Sequence, residues 1–398
     1  MATPIIRKNS IIGVEIESTE GTYVAPSAAT SYVQPLADGF ELIPARELID
    51  RGLLNASPGK ESPRLGTKSV TAALPVEFRG SGVAGGAPDF DPLLRSALGA
   101  VRAYGSQTTS TTTHTATQIN LSDGDAANYN VGDSVVVLEA GAHEVRPISA
   151  VVTTPGSNSI SFPFALDNGA PSDGVVIAEY NTYLTAADGH PSLSLSYYWA
   201  NEIRQSAVGC KVPSLSVDNW TTGQVASWNF GLEGLFYGDE IDGVAPHTPT
   251  YDDEVPPIIL KACVYRDGLQ IPINTLTLSL ANTLGFTTST CSENGRISSR
   301  VTDREITGSI NPYKDDTLTD YFDDWNDGTE FSLFAYAFNP SSTTDEFDLG
   351  SVVALWLPQC FSTEFQTQDL EGLLIDQISF RATRGSDGTN EEMFVSLI

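Results

Sequence analysis

The stretch 302-TDREITGSINPYKDDTLTDYFDDWNDGTEFSLFAYAF-338 decides the fold, and it reads as strand, short helix, strand. Ile306, Ser309 and Ile310 lie in a run bounded by Gly308 and Pro312 that is too short for a helix. Thr317 is placed to cap a segment in which Leu318, Tyr321, Phe322 and Trp325 recur at helical spacing. Asp315 and Asp316 fall at its start, where the helix dipole favours acids, and Asp327-Gly328 ends it. Phe331 to Phe338 is rich in aromatic residues, as strands are.

A second copy of this order stands upstream, from Thr67 to Leu98. A strand carrying Pro75 leads into a Gly-rich turn. A short helix follows, with Asp91 as cap, Pro92 in its first position and Leu94 and Leu98 on one face. The flanks match in kind: a hydrophobic strand and then a polar loop precede each copy. These are Phe40 to Ile43 before Arg51 to Lys68, and Leu276 to Leu280 before Ser289 to Arg304. The pattern predicts an internal duplication of one β-rich unit. The competing reading is convergence, since strand–helix–strand order is common and identity between the copies is low.

Between the halves of the first copy, Tyr104 to Thr113 turns to Ser, Thr and Gln, a linker composition. Short strands then follow at Val131–Leu138, Pro147–Val152, Ser159–Phe164 and Val175–Tyr180. Their spacing and Gly/Asn/Pro turns suggest a small inserted barrel-like module. The first copy resumes at Leu193, Leu195, Tyr197 and Trp199, which alternate with Ser192, Ser194, Ser196 and Tyr198. An acidic, Pro-rich stretch, 238–257, reads as the linker between halves. In the second half Leu276, Leu278 and Leu280, then Val353, Leu355 and Leu357, alternate again. The expected organisation is therefore mainly β. One unit comprises 1–103 and 191–250, an inserted β module 104–190, and a second unit 251–398.

Charge narrows the function. With 21 Lys and Arg against 50 Asp and Glu, the 398-residue chain carries −29. From Glu254 onward there are 22 acids and 8 bases (8 − 22 = −14), leaving −15 for the first 253 residues. The acid is spread over the whole chain. Such a field repels nucleic acid and anionic membrane, and argues against a DNA-gripping protein. It suits a surface past which DNA slides without sticking; solubility alone is the plainer explanation. The four cysteines, Cys210, Cys263, Cys291 and Cys360, form no CxxC pair and read as reduced thiols, although spacing does not exclude a disulfide. The first residues hold no signal-peptide core and no membrane-length apolar run, so export by the usual route is not expected.

Catalytic motifs are missing: no GxSxG, HExxH, P-loop or dinucleotide fingerprint. His114, His143, His190 and His247 are far apart in loop-like settings. Asp123, Asp125 and Asp133, or Asp387 with Glu391 and Glu392, could offer oxygen ligands to Ca²⁺, but neither set has EF-hand spacing and both read as solvated turns. Paired acids such as Asp315–Asp316, Asp323–Asp324 and Asp345–Glu346 arise by chance in so acidic a chain. A glycosidase would need two of them across a cleft. Trp199, Trp228 and Trp356 lie on strand faces and read as core rather than sugar platforms. No enzyme activity and no cofactor are expected.

The opening Lys8 to Thr22, KNSIIGVEIESTEGT, resembles the start of tail tube proteins of long-tailed bacteriophages: a short strand, then Glu-x-x-x-Gly-Thr. Gly66 to Leu98 is similar to their strand, Gly-x-Gly, Pro, Leu/Ala helix region. Residues 192–217 resemble their hairpin with a Gly before a Val/Leu-rich strand, and Gly295-Arg296-Ile297 and Thr307-Gly308-Ser309 fit as well. The order of all these pieces, covering most of the chain outside 104–190, carries the resemblance. It implies β-sandwich units, each with a flanking helix, stacked as rings into a hollow tube. Six units close each ring of such tubes, and their inner sheets merge into one barrel without free edges. Two units in one chain then imply three chains per ring, a departure from the family's commoner homohexamer. The resemblance also implies an acidic lumen that passes DNA and tape-measure protein. The further partners are tail terminator and baseplate proteins, and the location is the virion tail, assembled in the host cytoplasm. Ring-to-ring contact would use the arm Met1 to Ser10 and the two loops bearing Arg51, Lys60, Arg64 and Lys68, and Arg296, Arg300 and Arg304. The plain alternative is that these are solvated loops. Two other function classes stay open. One is a non-polymerising distal tail, baseplate or adhesin-type binding protein; the other is a β-rich glycan-active enzyme.

Overall fold

A computed structural model describes residues 6–398 except 54–58, 142, 200–202, 239, 261, 293, 315–320, 341–346 and 386–390. The first half contains β1 (Ile11–Ile16), β2 (Glu41–Ile49), β3 (Arg64–Glu77), α1 (Asp91–Leu98), β4 (Gly99–Tyr104), β5 (Tyr180–Thr185), β6 (Leu193–Trp199), β7 (Ile203–Asp218) and β8 (Ser227–Gly234). The second contains β9 (Ala262–Arg266), β10 (Ile273–Thr288), β11 (Arg296–Pro312), α2 (Tyr321–Asp327), β12 (Glu330–Ala337), β13 (Val353–Leu370), β14 (Leu373–Ala382) and β15 (Phe394–Leu397). The fold is mainly β.

Eight of these strands hydrogen-bond in one antiparallel row, β2–β3–β8–β7–β10–β11–β14–β13. The row is one four-strand pattern written twice. The β2–β3 ladder slips between Arg46 and Leu48, so that Leu48 faces Leu65. The β10–β11 ladder slips between Thr283 and Leu284, so that Leu284 faces Val301. Both strands are displaced equally (284 − 48 = 301 − 65 = 236). The β7–β8 and β13–β14 hairpins slip at matching places too, resuming at Ser214 opposite Gly231 and at Glu364 opposite Ser379. In the outer layer β6 meets β7 at Leu193–Cys210 and resumes at Leu195–Ala207; β12 meets β13 at Phe331–Cys360 and resumes at Leu333–Leu357. A bulge adds one residue and re-aims the strand. Three bulges at matching positions are hard to reach by chance.

Period-two alternation divides the faces of the row. On one face Leu74, Phe230, Leu215, Leu280 and Ile306 stand directly opposite one another across five strands, and all are buried. Each such side chain contributes about 1.5–3 kcal/mol by leaving water. The outer strands close this core: β1–β6 against the first half of β7, and β9–β12 against the first half of β13. Helix α1 buries Leu93, Leu94, Ala97 and Leu98 there, and Gly99, at φ +100°, ends it in the left-handed conformation.

Helix α2 differs. Asp315 to Leu318 lie outside the described residues, and of the expected apolar face only Tyr321 is buried. Phe322 and Trp325 are 45% and 36% exposed and gather around Phe365 of β13.

The inserted segment is not a closed barrel. Thr108–Thr109, Val176–Ile177, Ser134–Leu138 and Glu144–Pro147 form one small sheet; Ala150–Val152, Ser159–Ser161 and Gln118–Asn120 form another. The single strand expected over Pro147 to Val152 is split: its two ends belong to different sheets. The segment shares a core with the second half: Val135, Val145, Ile160 and Ile177 cluster with Tyr265, Phe334, Trp356 and Phe394. Arg146, fully buried, lies over the rings of Phe164 and Tyr265 and pairs with Glu144 and Asp167 at 2.9 and 3.0 Å. Strand β5, which leaves the insert, pairs with β4 on one edge and β15 on the other. The segment therefore packs on residues of the second half, and the chain leaves the segment through a strand paired with its last one.

Candidate assembly surface

The core-averted face of the eight-strand row is mostly small and polar, with the half-exposed Ile43 standing among them on β2. Ser214, Ser216, Thr277, Ser279, Ala281, Thr307 and Ser309 occupy its middle. Around them stand Glu41, Asp218, Glu233, Glu305 and Glu364, with Arg381 3.9 Å from Glu305 as counter-charge. The alternation that aims Leu215 and Leu280 at the core aims their Ser and Ala neighbours away from it.

The row has two open ends. Strand β2 pairs only with β3 among the described residues, leaving its other edge without a ladder. Strand β13 carries β12 on one edge as far as Phe361; beyond it, from Ser362 to Leu370, only β14 is paired. An unpaired edge of this length is a template for another strand.

Two long hairpins extend from the row. The sequence reading places Arg64, Lys68, Arg296, Arg300 and Arg304 in loops, but all five lie on strands, because the hairpins continue far past the core and lose the apolar alternation that marks a strand. The basic positions coincide under the 236-residue displacement: Lys60 with Arg296, Arg64 with Arg300, Lys68 with Arg304. Arg51, Lys60, Arg64 and Arg300 are exposed. The other three are engaged within the chain. The Lys68 ammonium lies 5.2 Å from the Tyr237 ring, Arg296 lies over Phe286 and 3.3 Å from Glu233, and Arg304 pairs with Glu392 at 2.7 Å. Near the first hairpin's tip Leu48, Ile49, Leu53 and Leu65 are at least half exposed, as Ile297 nearly is near the second. Of the N-terminal arm, residues 1–5 lie outside the described residues, and Arg7 donates to the Phe40 carbonyl beside β2.

The Glu-x-x-x-Gly-Thr motif is a structural device that sequence reasoning left unexplained. The buried Glu17 carboxylate accepts from the Gly21 and Gly209 amides at 2.8 Å and from Ser194 Oγ at 2.9 Å, tying the turn after β1 to β6 and β7. Glu20 accepts from the Ser299 hydroxyl at 2.9 Å and from Lys211, joining the first half to β11.

The acid clusters considered for Ca²⁺ are engaged otherwise. Asp133 is fully buried rather than in a solvated turn; it accepts from Tyr180 and pairs with Arg102, as does Glu391. Asp123 accepts from Gly156 and Asn158, and Asp387 lies outside the described residues, as do Asp345 and Glu346. Trp228 and Trp356 are buried and Trp199 is half-buried. His190, half-buried, bonds the Ser96 carbonyl, and desolvation lowers its pKa. All four cysteines are free thiols.

The acidic stretch 238–257 is bound down rather than loose. Asp252 joins Asp89 around the buried Arg79, at 3.5 and 3.1 Å, and Thr250 donates to the Ala29 carbonyl. No helix among the described residues is long and apolar enough to cross a membrane.

A family model described as phage tail tube protein matches residues 8–382. Among curated proteins, none matches the chain.

Proposed function

Because the chain belongs to the phage tail tube protein family, whose model spans both of its halves, we propose that three copies close each ring of a hollow tail tube. The observation that carries this reading is the repeated four-strand register. Two tube-type units in tandem, the first interrupted by the insert, supply two sixths of a ring, and three chains complete a pseudo-sixfold barrel of inner strands. The unit boundaries are those read from the sequence: 1–103 with 191–250, and 251–398, around an insert at 104–190.

In this arrangement the small, polar, acidic face of the row lines the channel. Glu41, Asp218, Glu233, Glu305 and Glu364 oppose DNA phosphates, and Ser, Thr and Ala offer little to grip, so DNA passes without adhering. The role is physical rather than chemical. The insert, anchored on the outer strands of the second half, decorates the outside once per chain. The exposed hairpin tips, apolar at Leu48, Ile49, Leu53 and Leu65 and basic at Arg51, Lys60, Arg64 and Arg300, meet the acidic rim of the next ring. Tape-measure, terminator and baseplate proteins are the remaining partners, and assembly takes place in the host cytoplasm.

The test is sedimentation of purified protein over a rising concentration series, with and without baseplate as a seed. A threshold above which protein pellets as tubes supports the reading. Protein that stays in the supernatant throughout, seeded or not, contradicts it.

A further inference from the structure

Resting on that reading, in which inner sheets merge from chain to chain, we infer the register of the seam: the open edge of β13 in one copy meets the open edge of β2 in the next as the two halves meet inside one chain. The internal junction between halves pairs Ser214 with Ala281, Leu215 with Leu280, Ser216 with Ser279 and Val217 with Leu278. The repeat carries β7 onto β13 by 150 residues and β2 onto β10 by 236. Applying both to the junction gives the pairs between copies: Glu364 with Ala45, Phe365 with Pro44, Gln366 with Ile43 and Thr367 with Leu42.

Exposure agrees position by position. Leu215, Val217, Leu278 and Leu280 are each no more than 3% exposed at the internal junction. Their counterparts at the open ends are Phe365 and Leu42, half-buried, and Thr367 and Pro44, exposed. The Phe322, Trp325 and Phe365 rings form an open apolar cluster beside this edge, on the core side where Pro44 and Leu42 of the next copy arrive.

Charge agrees as well. At the internal junction Asn282 donates to the Ala97 carbonyl in the last turn of α1. Its counterpart at the open edge is Arg46, exposed on β2. The matching helix, α2, ends on the exposed Asp327, while Asp323 and Asp324 lie in its first turn, the latter already paired with Arg266 at 2.8 Å. A cation meeting the acidic, negative end of a helix is favourable. The partner these edges fit is thus a second copy of this chain, head to tail.

Cysteine trapping tests the register. In a Cys291→Ser background, one variant carries Ile43→Cys with Gln366→Cys and another Leu42→Cys with Thr367→Cys. Neighbouring pairs alternate between narrow and wide spacing in an antiparallel ladder, so one of the two suits a disulfide. Ala45→Cys with Thr367→Cys, on opposite faces, is the control. Assembled and oxidised, at least one register pair is expected to convert most chains to a covalent trimer on a non-reducing gel, at least tenfold above the control. Tubes seen by microscopy without a cross-link at either pair, or with an equal cross-link in the control, overturn the register and leave the tube reading standing. Dispersed particles without cross-links at every concentration overturn both.

Discussion

Leu215 and Phe365 hold equivalent places in the repeat, yet their truncations should separate stability from assembly. Leu215 is 2% exposed, between Phe230 and Leu280 in the core row. Leu215→Ala removes a buried side chain and leaves a cavity, at a cost of about 2–5 kcal/mol to the monomer. Phe365 packs against Phe322 and Trp325 and on the rim of the core, opposite Ile378, and stays partly exposed. The burial it already has, with its two aromatic contacts, amounts to about 1–2 kcal/mol. The remaining third, about 0.5–1 kcal/mol, is gained only when the next copy docks. Three such contacts close a ring, so assembly weakens by about 1.5–3 kcal/mol per ring, and roughly threefold in concentration at each contact. Urea unfolding of dilute protein reads the first quantity; the pelleting threshold reads the second. Phe365→Ala that destabilises the monomer as much as Leu215→Ala, or leaves the threshold unmoved, refutes the reasoning.

Reversing charge at Arg64 and Arg300 together, each to Glu, should block tube growth while the unfolding free energy from urea titration stays within about 0.5 kcal/mol of wild type, since both are exposed; unimpaired growth contradicts the proposed docking. Burial pushes the Asp89 carboxyl up from 3.8 to about 6, outweighing the attraction of Arg79. Its folded pKa lies above its unfolded one, so its stabilising contribution is full below pH 4 and is lost as pH rises through 6. The stability difference between wild type and Asp89→Asn should fall by about 2 kcal/mol from pH 4.5 to 7 in urea titrations; a flat difference refutes this. At Gly132, φ is +91° and an added Cβ would lie 2.1 Å from the Phe394 ring, where the insert meets the last strand. Gly132→Ala should cost at least about 2 kcal/mol, seen as a lower thermal midpoint, and an unchanged midpoint would show that this contact does not anchor the insert.

Much of the strand order was legible because period-two alternation is strong wherever one face of the row is buried. Leu276, Leu278 and Leu280, and Leu193 and Leu195, announce their strands in this way. The hairpin ends were misread for the same physical reason. Arg64 to Ser69 and Arg296 to Glu305 extend past the core, carry polar residues on both faces and lose the pattern. Pro75 and Asn311 hid how closely β3 matches β11, since the repeat lives in ladder register and bulge position rather than in residue identity. The apolar face of α2 predicted burial, but Phe322 and Trp325 are half open because what covers them in the proposed ring is another chain. The insert showed its short strands but not its anchorage: the partners Tyr265, Phe334 and Phe394 lie more than 80 residues away in sequence. The acidic lumen was legible only as a total charge. Which acids share a face follows from the registers.

Negative-stain microscopy of the assembled protein, averaged end-on, tests the central claim most directly. Three chains, each with two repeated units and one insert, predict a central hole surrounded by three outer lobes. Six identical lobes would contradict the trimeric ring built from a duplicated chain.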